Sequence, residues 1–570
     1  MKRRLIACLL ALVLLFSSGC TLPGTGIEND TIPDSTEGED LTMAEAADAV
    51  FSLNMNTKYS FNPLVATNHS NQLVCALAYE NLVELDNNFE VIPNVITEWS
   101  YTDDAATWTF TIDTSKQFHD GTPVTAKDVA YTLNNVNAAG SDRFAGRFRY
   151  FSGAYARGDD TVEVYLGLGS TSFIKLLNIP LIQSGSYKEK FPMGSGPYYF
   201  ELETVVDEPA TETKAEKTHQ VPLALHAYEG YKGWETLPVD TVYLKEYTDA
   251  EGIISAFEDS YVDAVINDPS SYTNLGYAAI NEIHTYATTN MHYVAFNQES
   301  DVAANAGFRY AMQYAFDRAY LEDLLNNNAV ASAIPMYPTC ADYPQALADN
   351  LRYDLETCAR ILENNGIQDY DDDGWREYMN AGQKINLQFI LCSDSSAKAG
   401  IANRFMEDMA SIGLKVTVQE VTWDEYYNAL TDYVNLTKEQ KEDEDFEELE
   451  YDMYYAETKI RNDFDISEIL APQDEDNIYS NINFTHSTDN GFENLMYTYL
   501  GSGDANRKQN YYALAEYVLT TSAQIAVIGF EKQQLITHRS AIRGIDPNAG
   551  NPLYGFPNWV ISFKTKESEQ

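Results

Sequence analysis

Few residues of this chain stand at the spacing of a catalytic motif. The 570 residues include eight histidines, and no His-Glu-x-x-His, Gly-x-Ser-x-Gly or P-loop sequence occurs among them. His119 and Asp120 are adjacent and could form an acid–base pair, but they open a His-Asp-Gly-Thr-Pro run that is typical of a polar turn. Ser195 lies between two glycines, yet Pro197 would stop the helix that a nucleophile elbow needs. The sequence therefore predicts a protein that is not an enzyme.

Oxygen ligands for calcium are the next candidate chemistry. Asp369, Asp371, Asp373 and Gly374 match the first half of an EF-hand loop. The twelfth position of such a loop should be a glutamate that binds calcium through both oxygens, and here it is Asn380. No pair of histidines stands at a spacing suited to nickel. We therefore expect neither a metal nor any other cofactor.

The elements that could position a binding site are clearest between Thr107 and Leu133. Apolar and polar residues alternate over Thr107–Ile112, as they do in a half-buried strand. Asp120–Pro123 is a turn sequence, and Thr125 stands three residues before Asp128, the spacing of a capping box at the start of a helix. With its Phe-His-Asp-Gly-Thr-Pro sequence, this segment resembles the signature of the family 5 extracellular solute-binding proteins, the peptide- and nickel-binding receptors of bacterial ABC importers.

The resemblance extends over roughly Ala44 to Trp559, with further matches at Phe61–Leu85, Met193–Tyr199, Ala311–Arg318 and Tyr451–Met453. It implies an α/β, bilobal periplasmic-binding-protein-like fold with two α/β lobes, an extra subdomain on the first lobe, and a hinge that closes the lobes around a ligand. By analogy, the first lobe comprises residues 44–90, 190–290 and 525–570. The extra subdomain comprises residues 91–189, and the second lobe comprises residues 291–524.

Periodicity predicts further elements of the second lobe. A helix is expected over Phe308–Leu324, because apolar residues recur there at i, i+3, i+4 and i+7. Ile385–Phe389, Ile401–Ile412 and Leu414–Val418 read as strand, helix and strand, which predicts parallel pairing and a right-handed crossover. The acidic run within Thr431–Glu450 is predicted to be a solvated surface insertion.

The resemblance also implies which segments meet the ligand. Thr67, Asn68, His69 and Ser70 match a first-lobe loop that contacts the ligand in the family, and an ordinary surface loop is the alternative. Trp423 follows a predicted second-lobe strand and matches an aromatic residue that often walls the cleft. The alternative for Trp423 is a buried position in the core.

The segment after Met453 should supply the other side of the cleft. It begins with Tyr454 and Tyr455, and peptide-binding relatives carry there an aspartate that pairs with the α-amino group of the ligand. Depending on the alignment, either Arg461 or Asp463 takes that position. Asp463 would hold an ammonium group, whereas Arg461 would prefer a carboxylate or phosphate. A third possibility is that Arg461 and Asp463 pair with each other.

The N-terminal segment predicts export. Basic residues at Lys2–Arg4 precede the apolar run Leu5–Phe16, which is the pattern of a signal peptide. Ser17–Cys20 resembles the lipobox of bacterial lipoproteins. We therefore expect residues 1–20 to be a lipoprotein signal peptide, with Cys20 carrying a lipid that anchors the protein to the extracytoplasmic face of the cell membrane. Residues 21–43 are rich in Thr, Gly, Pro and acidic residues and should form a flexible tether.

Charge and cysteine content limit the partners. A formal net charge of −49 repels phosphate backbones and therefore excludes nucleic acid as a partner. The same charge weakly favours cationic or zwitterionic ligands, although a local pocket can oppose it. Four cysteines beyond the predicted signal and lipid site could be buried thiols or form a bridge, namely Cys75, Cys340, Cys358 and Cys392.

The sequence thus predicts a monomeric receptor that captures a small solute, by default an oligopeptide, and delivers it to ABC permease subunits. A receptor for a non-peptide solute is the alternative, whether an anionic small molecule, a sugar or a metal complex. A sensory or adhesive surface lipoprotein is a further alternative.

Overall fold

The computed structural model describes residues 50–139, 143–144, 146–208, 217–267, 269, 281–379, 384–432, 448–472, 482–539 and 541–561. Cys20, the predicted signal peptide and the predicted tether lie outside these residues, as does most of the acidic run after Thr431. None of the helices within the described residues combines the length and the apolarity needed to cross a bilayer.

The strands are β1 (Phe51–Met55), β2 (Val83–Leu85), β3 (Val91–Pro93), β4 (Ile96–Tyr101), β5 (Thr107–Ile112), β6 (Phe151–Ala156), β7 (Thr161–Leu166), β8 (Tyr198–Glu208), β9 (Lys217–Ala227), β10 (Thr241–Glu246), β11 (Ala264–Asn267), β12 (Asn281–Phe296), β13 (Ala329–Ala331), β14 (Ile367–Gln368), β15 (Glu377–Tyr378), β16 (Asn386–Cys392), β17 (Lys415–Val421), β18 (Met453–Lys459), β19 (Ile525–His538), β20 (Ile542–Arg543) and β21 (Val560–Ile561).

The α-helices are α1 (His69–Ala78), α2 (Ala126–Ala139), α3 (Ala250–Glu258), α4 (Ala306–Met312), α5 (Ala319–Leu324), α6 (Gln345–Asn350), α7 (Leu355–Asn364), α8 (Ser396–Ser411), α9 (Trp423–Leu430), α10 (Ser467–Leu470), α11 (Phe492–Leu500) and α12 (Asp504–Glu516).

One mixed sheet runs through both halves of the molecule. Its strand order in the described chain is β17-β16-β18-β12-β19-β11-β1-β10-β9-β8, and β13 pairs with β19 outside this path. By the boundaries predicted above, β1 and β8–β11 fall in the first lobe, and β13 and β16–β18 fall in the second. The protein is therefore a bilobal α/β molecule, as the sequence predicts, with one sheet continuous between its lobes.

The long antiparallel strands β12 and β19 connect the lobes. Residues 281–287 of β12 pair with residues 532–538 of β19 on the first-lobe side, and residues 291–295 pair with residues 525–530 on the second-lobe side. The register shifts between Ala287 and Met291, where Thr288 donates a hydrogen bond of 2.6 Å to the carbonyl of Glu531. A bulge loosens the ladder locally, so this is the place where a hinge can bend.

The signature segment folds as its sequence predicts. Strand β5 alternates half-buried and buried positions and lies inside a four-stranded antiparallel sheet of order β4-β5-β7-β6. Asp128 accepts hydrogen bonds from the backbone N–H and the hydroxyl of Thr125, at 3.0 and 2.7 Å, which closes the predicted cap of α2. Gly121 takes a φ of +82°, which the turn before this helix requires.

The predicted strand–helix–strand unit of the second lobe is confirmed. Strands β16 and β17 pair in parallel with α8 between them, and β18 joins the other side of β16 in parallel. Helix α9 follows β17 and begins with a capping box formed by Thr422 and Glu425.

The prediction of one helix over Phe308–Leu324 is wrong, because two short helices, α4 and α5, form instead. The break is stabilised by buried polar side chains. Gln313 donates to the carbonyl of Ile525 at 2.9 Å, and Arg318 donates to the carbonyls of Val527 and Gln313 at 2.7 and 3.0 Å. These tertiary bonds tie the turn to β19 and replace the helical bonds that periodicity alone predicts.

The apolar interior has two main parts. One fills the first lobe and the four-stranded sheet, and the other fills the second lobe and the second-lobe side of β12 and β19. Phe89 comes from the first half of the chain but is buried in the second-lobe core, against Tyr337 and Phe464. The four described cysteines are buried free thiols. The lobe and subdomain boundaries given above stay predictions.

Candidate ligand-binding site

A cavity of about 280 Å³ lies between the lobes, beside the bulge in β12 and β19. Helix α1 and the loop before it line one side, and the end of β18 lines the other. Its lining residues in the described chain are Thr67, His69, Gln72, Cys75, Ala76, Tyr79, Asn81, Phe89, Arg143, Phe144, Arg147, Asn178, Pro180, Ile266, Tyr286, Ala287, Thr288, Thr289, Lys459, Asn462, Gln533, Ala549, Gly550, Asn551 and Pro552.

The predicted first-lobe loop lies at this cavity. Thr67 and His69 line it, while Asn68 and Ser70 line an adjoining cavity of about 430 Å³ that Thr67 and His69 also border. The loop is held by its own polar groups. Asn68 caps α1 by accepting the N–H of Asn71 at 3.1 Å, and the hydroxyl of Ser70 accepts a hydrogen bond of 2.8 Å from Asn54.

Three cationic side chains from both lobes meet at the cavity. Arg143 and Arg147 come from the segment after α2, and Lys459 is the last residue of β18, paired with Asn290 at the bulge. Both guanidinium groups lie about 5 Å from the ring centroid of Phe144. Among the described lining residues there is no aspartate or glutamate. The cavity is therefore cationic within a strongly acidic chain.

The two arginines are held by neutral partners. Arg143 donates to the carbonyl of Pro63 at 2.7 Å, and Arg147 donates to the side-chain oxygen of Asn178 at 2.5 Å and to the carbonyl of Leu176 at 3.2 Å. No carboxylate of the described chain lies within ion-pair distance of either guanidinium or of the Lys459 ammonium. Asp463 raises the pKa of Arg147 from beyond that distance, so some of the positive charge is already offset and the remainder is available to another group.

Burial lowers the pKa of all three cations, and neighbouring positive charges add to this at Arg147 and Lys459. Burial lowers the pKa of Arg143 to about 10. Burial, with the neighbouring charge of Arg143, lowers the pKa of Arg147 to about 9. Lys459 is exposed to solvent at the cavity although protein atoms surround it closely, and this partial desolvation together with the charges of Arg147 and Arg143 lowers its pKa to about 8. An anion entering the cavity would reverse these effects, because opposite charge favours the protonated form.

Arg461 and Asp463 form an ion pair with each other, which was the third possibility in the sequence. Arg461 donates to both carboxylate oxygens of Asp463, at 3.1 and 2.7 Å, and its remaining nitrogen lies 3.3 Å from Asp465 and donates to the carbonyl of Gly146 at 3.2 Å. Burial opposes the charge of Arg461, but Asp463 and Asp465 raise its pKa. Neither Arg461 nor Asp463 lines the cavity, and a ligand contact of either residue stays a prediction.

The predicted aromatic contacts also lie elsewhere. Tyr454 and Tyr455 are buried in the second-lobe core, because β18 is a central strand with helices packed on it. Trp423 is 59% exposed at the first position of α9 and stacks on Tyr427 at the edge of the sheet. None of these three side chains lines the cavity in the structure.

Asn462 is the member of the loop after β18 that does line the cavity. Its amide donates to the side-chain oxygen of Asn178 at 2.9 Å and thereby links the two sides of the cleft. Sequence reasoning missed Asn462, Arg143, Arg147 and Lys459. One signal was available, since Arg143, Arg147 and Arg149 crowd into seven residues of a chain with 37 basic and 86 acidic residues.

His119 and Asp120 form a turn rather than an acid–base pair. The Nε2 atom of His119 lies 3.0 Å from the carbonyl oxygen of Gly196, and burial lowers the pKa of this imidazole to about 4. Asp120 accepts the backbone N–H and hydroxyl of Thr122 and the amide of Gln183. Each of these hydrogen bonds joins two residues of the protein itself.

Comparison with known proteins decides the family. Residues 90–472 match the profile of the bacterial extracellular solute-binding proteins, family 5 Middle. The chain belongs to this family. Among curated relatives, the oligopeptide-binding protein AppA of Bacillus subtilis is 22% identical over 470 residues, covering 76% of this chain and 79% of AppA.

Solved structures of the family share the fold. The ABC transporter substrate-binding protein CtaP of Listeria monocytogenes matches with a TM-score of 0.67 at 17% identity, covering 90% of this chain and 99% of CtaP. NikZ of Campylobacter jejuni, in complex with Ni(L-His), matches with a TM-score of 0.63 at 14% identity, covering 90% of this chain and 99% of NikZ. The family 5 protein described here is therefore a solute-binding receptor by family, with the bilobal fold of its relatives.

Proposed function

We propose that this family 5 receptor captures a small solute with an anionic group, which Arg143, Arg147 and Lys459 bind between the lobes. The observation that carries the proposal is the set of three cations, from two lobes, lining one cavity without a carboxylate partner in the described chain. Planar guanidinium groups suit carboxylate and phosphate oxygens, and such charge-assisted hydrogen bonds are stronger than neutral ones.

The positive charge of the cavity favours binding of an anion over binding of a cation or a neutral solute. Arg143 lowers the pKa of Arg147, and both arginines lower the pKa of Lys459, so bringing these positive groups together without a counter-charge is costly. An anion would turn this repulsion into attraction on both sides of the cleft. Ligand charge would then be coupled to closure, as expected for a receptor that shuts around its solute.

The size of the cavity supports a small ligand. Its volume of about 280 Å³ lies just below the ~300–1,000 Å³ range of small-molecule pockets. The adjoining cavity has no arginine or lysine among its described lining residues, which include Asn54, Ile253, Ile254 and Asn267. It could accommodate a neutral, partly apolar remainder of the solute.

The prediction that the ligand is an oligopeptide needs to be revised in one respect. An α-amino group would need a free carboxylate, but Asp463 already binds Arg461 and both are buried. A short peptide remains a candidate ligand if its C-terminal carboxylate, rather than its amine, meets the cations. AppA is named as an oligopeptide-binding protein and NikZ was solved with Ni(L-His), so peptide and small metal complex both occur among relatives.

Matched ligands test this proposal by calorimetry on the protein without its predicted signal peptide. The panel comprises a tripeptide, its N-acetylated form, its C-terminal amide, small di- and tricarboxylates, and inorganic phosphate. We expect the acids to bind, N-acetylation to be tolerated, and amidation to abolish binding. A saturating ligand at about 100 times its Kd should add roughly 2.7 kcal/mol to the stability. Binding of the amide, together with loss on acetylation, would contradict the anion site and restore an amine anchor.

We also propose that the receptor is a monomer that hands its solute to an ABC permease and is anchored through a lipid on Cys20. The lipobox-like sequence Ser17–Cys20 supports the anchor. Metabolic labelling with a radioactive fatty acid checks it. Label should enter the wild type and be absent from the Cys20→Ser variant, and equal labelling of both would contradict the anchor.

A further inference from the structure

Four carboxylates converge at the turn that joins β14 to β15, including the first residue of β15, in the predicted second lobe and apart from the ligand cavity. They belong to Asp369, Asp371, Asp373 and Glu377, and one oxygen of each lies within 4.8 Å of the corresponding oxygens of the others. Lys384 pairs with Asp373 and lies 3.9 Å from Asp371. One ammonium group cannot balance four carboxylates, so the cluster keeps a negative charge.

Glu377 provides independent evidence that this cluster binds a cation. It is only 2% exposed, yet its Oε1 atom has no hydrogen-bond partner in the part of the chain that is described. The other oxygen accepts the backbone N–H of Tyr370 at 2.8 Å, which fixes the carboxylate in the loop. A buried carboxylate oxygen without a donor is costly, and a metal ion is a common partner for such an oxygen.

The loop backbone holds the carboxylates in place. Asp369 accepts the N–H of Gly374 at 2.8 Å and of Asp373 at 3.2 Å, and Asp373 accepts the N–H of Trp375 at 3.0 Å. Gly374 has a φ of +95°, which permits the sharp turn between the third aspartate and Trp375. These bonds organise the loop and leave further lone pairs of the carboxylates for a cation.

We propose that this loop binds a calcium ion through Asp369, Asp371, Asp373 and Glu377. Calcium takes six to eight hard oxygen ligands in flexible geometry, which suits four carboxylates supplemented by backbone carbonyls and water. The expectation of no metal rested on Asn380 at the twelfth position. Glu377, at the ninth, supplies a buried acidic ligand instead.

The proposed ion would strengthen the second lobe rather than contact the solute. The loop connects α7 to the β16–β17 unit, and Arg376 beside it donates to the carbonyls of Ile412 and Ile367 at 2.6 and 2.9 Å. Sites on extracellular proteins commonly bind calcium with a Kd on the order of 10⁻⁴–10⁻³ M. A receptor on the outer face of the membrane would therefore be loaded by ambient calcium.

Terbium luminescence tests the site on the whole receptor after removal of divalent ions with a chelator. Trp375 and Tyr370 lie within the loop, so excitation of these rings should sensitise terbium bound there. Calcium should displace the terbium at about millimolar concentration, and magnesium should do so less well, because it demands near-ideal octahedral geometry. Calcium should also raise the Tm by a few degrees at saturation.

Charge-matched variants locate the ion. Glu377→Gln and Asp371→Asn should each weaken terbium and calcium binding by about tenfold or more, because each removes a ligand. Asp372→Asn removes the same charge from the same loop, but Asp372 is not part of the cluster and should change affinity less than about threefold. Asp371 is exposed, so its variant should fold even if that of buried Glu377 does not. Absence of calcium binding to the wild type, or equal losses in the Asp371 and Asp372 variants, would overturn the site.

Discussion

Lys459 is the residue that most distinguishes this receptor from one that binds an amine. We predict that Lys459→Met weakens binding of an acidic ligand by about 1.5–3 kcal/mol, or roughly ten- to a hundredfold, because a charge-assisted contact is lost. The same variant should be more stable without ligand at neutral pH, since it removes one of three mutually repelling cations. Calorimetry and thermal unfolding measure the two effects.

The exposed Lys415 of β17 offers a matched control for this variant. Lys415→Met changes the net charge equally but should leave both affinity and Tm close to those of the wild type. Equal loss of affinity in the two variants would mean that the overall field, and not Lys459, attracts the ligand.

Proton uptake should accompany ligand binding at alkaline pH. The pKa of Lys459 is lowered from 10.5 to about 8, so in the free receptor the amine is mostly neutral at about pH 9. A bound anion raises this pKa again, and the complex therefore takes up a proton near pH 9 but not near pH 6.5. Calorimetry in two buffers of different ionisation enthalpy measures the uptake.

Lys459→Met should reduce that uptake without removing all of it, because the pKa of Arg147 is also lowered, to about 9. Uptake that is unchanged in the variant would mean that Lys459 does not titrate with the ligand. The unliganded receptor should show the matching trend in stability. A basic group whose pKa is lowered by folding opposes the folded state while it is charged, so its contribution should improve from about pH 8 to about pH 10.5.

At the scale of elements, the loop after β18 is held together by a buried ion pair between Arg461 and Asp463. We predict that Arg461→Met destabilises the protein by about 3–5 kcal/mol, because Asp463 would be left buried without its cation, whereas Asp465 keeps Arg149 at 3.5 Å. Urea unfolding followed by circular dichroism measures the loss. Adding Asp463→Asn to Arg461→Met should recover part of it, and a second substitution that costs further stability would contradict the pairing.

Some elements could be predicted from the sequence and others could not, for a physical reason. Strand β5, the Gly121 turn and the cap of α2 depend on local alternation and on bonds within a few residues, so their sequence suffices. The break between α4 and α5 depends on Gln313 and Arg318 bonding to β19, more than 200 residues away. The spacing of apolar residues along the sequence contains no information about such a distant contact.

At the scale of the whole molecule, a substitution of Phe89 tests what keeps the two lobes closed. It reaches from the β2–β3 turn of the first lobe into the second-lobe core, with ring centroids 5.5 Å from Tyr337 and 5.4 Å from Phe464. We predict that Phe89→Ala favours an open state by about 3–5 kcal/mol and weakens ligand binding accordingly. Small-angle X-ray scattering should show a larger radius of gyration than for the wild type at equal ligand concentration.

Tyr155, exposed on the four-stranded sheet, provides the control. Tyr155→Ala should leave both the scattering curve and the affinity unchanged. A Phe89→Ala protein that stays as compact as the wild type with undiminished affinity would show that this ring does not hold the lobes together.

The bilobal fold could be predicted from the sequence, because its signature segments are local and resemble those of a known family. Only part of the candidate site could be predicted from the sequence. The Thr67–Ser70 segment, which includes the first two residues of α1, borders the cavities, and its contact with a ligand stays a prediction. The cations come from residues 143, 147 and 459, which only the assembled fold brings together. The net charge of −49 pointed toward cationic ligands, although a local cavity can carry the opposite sign.

Identification of the ligand that the receptor carries tests the central claim most directly. The protein would be isolated from the bacterium that produces it and analysed by native mass spectrometry, and the released ligand would then be identified. The account predicts a small molecule with a carboxylate or phosphate group, lost from the Lys459→Met variant. A cationic or uncharged ligand, or a long peptide retained by that variant, would contradict the account.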